Sequence, residues 1–100
     1  MIQTLFPDQP ALASLCQRHH IRRLALFGST LKGTAWPGSD VDLLVEFEPE
    51  ASPGMIEMGT ITLELETLLG GRPVDLRTAQ DLSRFFRDEV VGMAQVQYTA

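Results

Sequence analysis

Residues 40–47 read Asp-Val-Asp-Leu-Leu-Val-Glu-Phe, and this segment carries the strongest strand signal in the chain. Apolar residues fill most of it, and the proline-containing loop 49–53 follows it, so we predict a buried strand that ends at Phe47. Asp40 and Asp42 stand at its start, two positions apart. In a strand, side chains at that spacing lie on the same face, with α-carbons about 6.5–7 Å apart.

Two carboxylates in that arrangement repel each other and lose solvation unless a cation lies between them. Mg²⁺ prefers hard oxygen ligands and takes them from one or two carboxylates and from substrate phosphates. Asp40 and Asp42 are therefore candidate ligands of a divalent metal. The alternative is a solvated strand start, in which an aspartate only caps the preceding turn.

A Gly-Ser pair precedes this segment. Gly28-Ser29 follows the short apolar run 22–27, which is typical of a buried strand, and residues 29–35 are predicted to form a short helix. Glycine allows a close backbone approach, and a serine hydroxyl with the N–H groups of a helix start can hold a phosphate. The same pair is also common in ordinary turns.

An isolated carboxylate, Asp75, lies inside a third predicted strand, residues 73–77. Acidic residues are poor strand formers and are rarely buried without a partner. If this strand lies beside strand 40–47, Asp75 joins the other two carboxylates, either as a further metal ligand or as the general base for an incoming hydroxyl. The alternative is an edge strand with Asp75 facing water.

The remaining patterns predict helices between these strands. Residues 8–20 form a first helix, residues 55–69 are the clearest helix, and Thr78-x-x-Asp81 is expected to open a last one. Residues 95–99 are either a short edge strand or a frayed tail. The apolar positions expected to face the core are Leu12, Leu15, Cys16 and His19 in the first helix, Met58, Ile61, Leu65, Leu68 and Leu69 in the second, and Leu82, Phe85, Phe86 and Val90 in the last. This order predicts an α/β layer structure of three core strands with helices against them.

Composition limits the possible functions. The chain has 100 residues, 44% of them hydrophobic and 21% charged, with a net charge of −5, which suits one small globular domain. Such an acidic chain is a poor candidate for extended nucleic-acid binding. No signal peptide or membrane span is recognisable, so we expect a cytoplasmic protein. Cys16 is expected to pack as a small hydrophobe, and His19-His20 to cap carbonyls and pack rather than to bind metal.

The combined pattern resembles a known superfamily. Gly28-Ser29, a ten-residue gap, Asp40-x-Asp42 and Asp75 on a later strand are similar to the signature of DNA polymerase β-like nucleotidyltransferases. The likeness is strongest to the minimal nucleotidyltransferase (MNT) domains. It implies one α/β (α+β) domain over residues 1–100, with a mixed three-to-four-stranded sheet, flanking helices and an active site at one end of the sheet.

The resemblance also implies roles for the signature residues. Gly28 and Ser29 match the contacts to the nucleotide triphosphate, with ATP as the substrate. Asp40 and Asp42 match ligands of one or two Mg²⁺ ions. Asp75 matches the third carboxylate, a metal ligand or the base nearest the attacking hydroxyl. The chemistry implied is in-line displacement at the α-phosphate with release of pyrophosphate.

Two further residues are candidates for nucleotide binding. Lys32 is three residues after Ser29, so both can face the same phosphates, although many relatives carry Arg near this point and a lysine lacks its bidentate geometry. The alternative for Lys32 is a solvent-facing side chain. Ser39 either donates to a phosphate or caps the turn before Asp40, and the turn is favoured slightly.

The resemblance implies a protein partner. MNT domains of this size are commonly the antitoxin of a HEPN-domain toxin, which implies a hetero-oligomer and transfer of AMP from ATP to a tyrosine of that toxin. The alternative is an antitoxin that neutralises its partner by binding and occlusion only. An Asp-x-Asp glycosyltransferase is disfavoured, because 100 residues leave little space for a sugar-nucleotide domain.

Overall fold

The computed structural model describes residues 5–27, 40–82, 84–85 and 87–100. Within them the chain forms four strands, three α-helices and one 3₁₀ turn. In chain order these are α1 (Gln9–Arg18), β1 (Ile21–Phe27), β2 (Val41–Phe47), α2 (Met55–Leu68), β3 (Val74–Arg77), the 3₁₀ turn Ala79–Asp81, α3 (Arg87–Met93) and β4 (Gln95–Thr99). The predicted strands and the predicted helices 8–20 and 55–69 are confirmed to within two residues at each end.

The four strands make one mixed sheet in the order β3-β2-β1-β4. β1 is antiparallel to both β2 and β4, whereas β3 runs parallel to β2. The segment 95–99 is therefore a paired edge strand and not a frayed tail. The prediction of a mixed sheet with flanking helices is confirmed.

Helix α1 begins and ends where its sequence supplies caps. The Asp8 carboxylate accepts a hydrogen bond from the backbone N–H of Ala11 at 3.0 Å, and Pro10 occupies the first turn, where its missing N–H costs nothing. The helix stops at His19, after which His20 adopts a positive φ of 58° in the turn to β1.

Helix α2 places the predicted apolar stripe against the sheet. Ile61 and Leu65 are fully buried, and Met58 packs against the same core from the partly buried margin, as do Leu68 and Leu69. Met55, by contrast, at the first position of the helix, is 91% exposed. Gly70 and Gly71 end the helix with positive φ angles, which glycine adopts without strain.

The core lies between one face of the sheet and helices α1 and α2. We call this the inner face of the sheet and the opposite one the outer face. The buried residues that build the core are Phe6, Leu12, Leu15, Cys16, Ile21, Leu24, Leu26, Val41, Leu43, Val45, Ile61, Leu65 and Val74. Because strand side chains alternate, Asp42 and Leu44 of β2 and Asp75 and Arg77 of β3 belong to the outer face.

The predicted last helix is wrong at its start. The Asp81 carboxylate accepts from both the backbone N–H and the hydroxyl of Thr78, at 3.0 and 3.1 Å, so the expected capping pair forms. It closes around a single 3₁₀ turn, however, because Leu82 is extended (φ −87°, ψ 147°) and ends the turn. The helix resumes only at Arg87, and Phe85 is 80% exposed instead of facing the core. Phe86 lies outside the described residues.

No helix in the described ranges is long and apolar enough to cross a membrane.

Candidate active site

Two of the three predicted carboxylates are neighbours across adjacent strands. The register of the sheet places Phe27 of β1 opposite Asp42 of β2, and Asp42 opposite Asp75 of β3. Paired residues of neighbouring strands share a face, and the strands lie about 4.8 Å apart. Asp42 and Asp75 therefore stand side by side on the outer face, and strand 73–77 does lie beside strand 40–47, which is the condition for Asp75 to join the other carboxylates.

Asp40 lies at the same edge of the sheet. It is exposed and comes directly before β2, two residues ahead of Asp42. The backbone N–H of Val41 donates to the carbonyl of Pro73 at 2.8 Å, which fixes the start of β2 against the start of β3. All three predicted metal ligands thus lie where these two parallel strands begin.

Asp75 is engaged by a neighbouring cation. Arg77 Nε donates to both carboxylate oxygens of Asp75, at 3.3 and 3.2 Å, and the two side chains are 36% (Asp75) and 47% (Arg77) exposed. Because Arg77 is two residues further along β3, it belongs to the same outer face. Arg77 is not among the residues predicted from the sequence, although an acid and a base two apart in a strand are a recognisable signal.

The donor chemistry of this edge suits a hard divalent cation, because carboxylate oxygens are its preferred ligands and Asp42 and Asp75 are in register. Across the described part of the chain, however, no three His, Cys, Asp or Glu side chains are grouped closely enough to hold a metal ion. The strands bring the carboxylates to one edge, while Arg77 directs Asp75 along its own strand. Metal binding by Asp40, Asp42 and Asp75 therefore remains a prediction.

The other predicted site residues cannot be placed. Gly28, Ser29, Lys32 and Ser39, together with the predicted helix 29–35, lie outside the described residues. In the sequence Gly28 follows Phe27 directly, and Phe27 is the β1 partner of Asp42. Their contacts with phosphate remain predictions.

Comparison with known proteins identifies the family. The sequence matches the model of the nucleotidyltransferase domain family over residues 11–96. The chain belongs to that family. This match confirms the resemblance seen in the Gly-Ser and Asp-x-Asp motifs. The family implies a nucleoside triphosphate substrate and a divalent metal for this nucleotidyltransferase.

The nucleotidyltransferase has curated relatives among the archaea. An inferred protein adenylyltransferase of Methanocaldococcus jannaschii is 30% identical over 77 residues, which cover 77% of this chain and 80% of the relative. The protein adenylyltransferase MntA of Thermococcus cleftensis is 42% identical over 62 residues, which cover 62% of this chain and 60% of the relative.

Solved structures share its fold. A structure of an inferred minimal nucleotidyltransferase aligns with a TM-score of 0.68 and 38% identity, covering 86% of this chain and 85% of that one. A chain from a toxin–antitoxin structure with AMP-PNP aligns with a TM-score of 0.69 and 21% identity, covering 93% of this chain and 74% of that one. At the latter identity the likeness shows the fold alone.

A second polar cluster of the nucleotidyltransferase lies on its helices. The His19 ring is bracketed by two carboxylates, with Nδ1 3.2 Å from Glu57 and Nε2 3.3 Å from Glu64. Glu64 also accepts from Arg18 at 3.0 Å, and the hydrogen bond from this guanidinium is the main cause that lowers the Glu64 pKa. His19 therefore pairs with carboxylates at the end of α1, which the sequence analysis missed. The cluster ties α1 to α2 and is remote from the outer face.

Proposed function

We propose that this nucleotidyltransferase moves AMP from Mg²⁺-bound ATP to a tyrosine hydroxyl of a partner HEPN toxin and so acts as the antitoxin of the pair. The observation that carries the proposal is the register of Asp42 with Asp75 on the outer face. It brings two of the three predicted carboxylates together beside the end of β1, where the Gly28-Ser29 pair follows in the sequence.

Each of the predicted site residues would have its own role in AMP transfer. Asp40 and Asp42 would hold the magnesium, which when bound neutralises charge that develops on the phosphoryl oxygens. Gly28 and Ser29 would contact the triphosphate and orient its leaving pyrophosphate. Asp75, on the next strand, would complete the metal site or accept the proton of the attacking hydroxyl.

The relatives support a protein acceptor. The curated relatives carry the name protein adenylyltransferase. One structural neighbour is an MNT antitoxin in complex with the tri-AMPylated HEPN toxin of Shewanella oneidensis, with a TM-score of 0.61 and 18% identity.

One observation favours a second candidate function. The Arg77 guanidinium occupies both oxygens of Asp75. A site in which this ion pair persists would lack its third carboxylate, and the protein would then neutralise its partner by binding and occlusion alone. The mass of the toxin after incubation with ATP and Mg²⁺ separates the two functions.

The test is the intact mass of the partner HEPN toxin after incubation with ATP and Mg²⁺. The wild type is expected to add one or more AMP groups to the toxin. The double variant Asp40→Ala/Asp42→Ala is expected to keep the complex but add none, because the metal loses its protein ligands. Glu50→Ala, which removes an exposed carboxylate from the turn after β2, is the matched control and should behave as wild type.

The outcome decides between the two functions. If wild type and double variant both leave the toxin mass unchanged, yet silence it equally, neutralisation is by occlusion. If the wild type modifies the toxin on a residue other than tyrosine, the transferase assignment stands and the acceptor assignment is wrong.

A further inference from the structure

A cavity of about 290 Å³ opens on the outer face next to the predicted carboxylate site. Ala25 of β1 and Leu44 of β2 form its floor, and Val91 of α3 is a third apolar residue in its lining. Arg23, Glu46 and Gln80 supply polar groups at its margin.

The register of the sheet fixes the distance between this cavity and the carboxylates. Phe27, Asp42 and Asp75 form one row across three strands, and Ala25 and Leu44 belong to the next row on the same face. Rows two residues apart are separated by about 6.5–7 Å. A phenol ring lying on Leu44 therefore places its hydroxyl within reach of the carboxylate row.

The 3₁₀ turn and helix α3 form the roof of the cavity, and hydrogen bonds hold them in place. The 3₁₀ turn that contains Ala79 and Gln80 is closed by the Thr78–Asp81 capping pair. Arg87, the first residue of α3, donates from Nε to the carbonyl of Ala79 at 2.8 Å. These contacts join the turn to the helix that carries Val91, so the walls are set before any ligand binds.

We propose that this cavity receives the aromatic ring of the acceptor tyrosine, an assignment that rests on the proposed function. In-line displacement requires the attacking oxygen and the leaving pyrophosphate to lie on opposite sides of the α-phosphorus. The Gly28-Ser29 pair follows β1 beyond Phe27, so the pyrophosphate is expected at that end. The acceptor then approaches from the other side, across the outer face, where the cavity lies.

The size and lining of the cavity agree with one aromatic side chain. Ligand pockets for whole small molecules begin at about 300 Å³, so a volume of about 290 Å³ suits a ring better than a complete nucleoside. Apolar walls with a few polar groups at the margin match a phenol, whose ring is apolar and whose hydroxyl points out. A serine or threonine would leave these walls uncovered.

The proposed transfer forms one bond to the α-phosphorus and breaks another. The phenol oxygen forms a bond to the α-phosphorus of ATP as the bond from that phosphorus to the bridging oxygen breaks. Pyrophosphate leaves with the electron pair of the broken bond. The phenol proton passes to the Asp75 carboxylate, in the row next to Leu44.

The cavity is tested by filling it from either side. Leu44→Phe fills the floor and Val91→Phe fills the roof, while Leu63→Phe makes a similar change on the exposed face of α2. AMP transfer to N-acetyl-tyrosinamide is measured by mass spectrometry, and the Kd of a non-hydrolysable ATP analogue with Mg²⁺ by calorimetry. Binding of the same phenol is followed by NMR of the Ala25, Leu44 and Val91 methyl groups, and circular dichroism checks that each variant is folded.

Each filled variant is expected to lower transfer to the phenol by about tenfold or more, as adding bulk to an apolar pocket does, while the analogue keeps its wild-type Kd. In the wild type the phenol should shift the methyl signals of Ala25, Leu44 and Val91, and Leu63→Phe should change nothing. Weaker analogue binding in the filled variants would overturn the proposal, because the cavity would then hold the nucleotide. So would a wild type that modifies the toxin but neither binds nor modifies the phenol. A wild type that modifies no acceptor at all would instead overturn the proposed function, and this assignment with it.

Discussion

Arg77 binds a carboxylate for which a metal ion would have to compete. Its guanidinium lies 3.2 Å from an oxygen of Asp75, and both side chains are about half exposed or less. Ion pairs at such partly exposed positions contribute about 0–1 kcal/mol, so a divalent cation with substrate phosphates can displace the guanidinium. If the proposed metal site forms, the pair would therefore lower its metal affinity without closing it.

Replacing Arg77 tests this competition. Arg77→Met is expected to strengthen Mg²⁺ binding, by up to about fivefold, because it removes both the competing ion pair and a positive charge beside the metal site. Calorimetric titration of Mg²⁺ in the presence of the ATP analogue measures the change, and Arg72→Met, in the turn before β3, is the matched control. Weaker binding in Arg77→Met would show instead that Arg77 orients Asp75 as a ligand.

Cys16 has the environment of a packing residue. Its side chain is fully buried in the core, and burial raises the pKa of its thiol to about 12. The reactive species is the thiolate, so the native protein is expected to resist iodoacetamide at pH 8 and to be alkylated only as it unfolds. Intact mass over time, with and without urea, measures this. Alkylation in the absence of urea at the rate of the unfolded chain would contradict the burial of Cys16.

At the scale of elements, the ion pairs between α1 and α2 make stability depend on pH. The Glu64 pKa is lowered mainly by its hydrogen bond with Arg18, with His19 contributing. A carboxyl group with a lowered pKa in the folded state adds stability above its unfolded pKa of about 4.3, and this stability is lost as the pH falls through the folded value. Acidification should therefore loosen the attachment of α1 to α2.

The variant Glu64→Gln isolates this contribution. It is expected to lower the free energy of unfolding by about 0.5–1 kcal/mol at pH 7, the range for a partly exposed pair, with the difference shrinking below about pH 4. Urea denaturation at several pH values measures it, and Glu50→Gln on an exposed turn serves as control. A difference that persists unchanged to pH 3 would assign the effect to packing and not to charge.

The sequence predicted those elements whose signals are local. Strand β2 and helix α2 have apolar patterns that agree with their burial. The last helix was misplaced because Thr78-x-x-Asp81 is a correct cap signal but carries no information on helix length. One extended residue, Leu82, limits that cap to a single turn.

The parts of the candidate site that depend on tertiary structure were harder to predict. That Asp42 and Asp75 are neighbours requires β3 to run parallel to β2 in one register, and a shift of one residue would turn Asp75 to the inner face. From the sequence alone, this adjacency could be given only as a condition. The cavity beside Leu44 depends on α3, which follows the misplaced helix start, so no sequence pattern indicated it.

At the scale of the whole molecule, the two faces of the sheet have different tasks. Helices α1 and α2 cover the inner face and bury the core, whereas the outer face carries the carboxylates at one edge and the cavity beside them. The net charge of −5 disfavours a long polyanionic acceptor, so nucleotide binding needs local neutralisation by a divalent cation. The proposed function therefore concentrates the family's chemistry on one edge of an acidic domain.

On the proposed function, the metal and the nucleotide bind at the row formed by Phe27, Asp42 and Asp75. Paramagnetic relaxation of backbone amides tests it most directly, with Mn²⁺ and a non-hydrolysable ATP analogue added to ¹⁵N-labelled protein. The strongest broadening is expected at this row, with little effect at Thr67 on α2, and it should disappear in Asp40→Ala/Asp42→Ala. Broadening centred on Glu57 and its neighbours in α2, or broadening at the row that survives the double substitution, would contradict the claim.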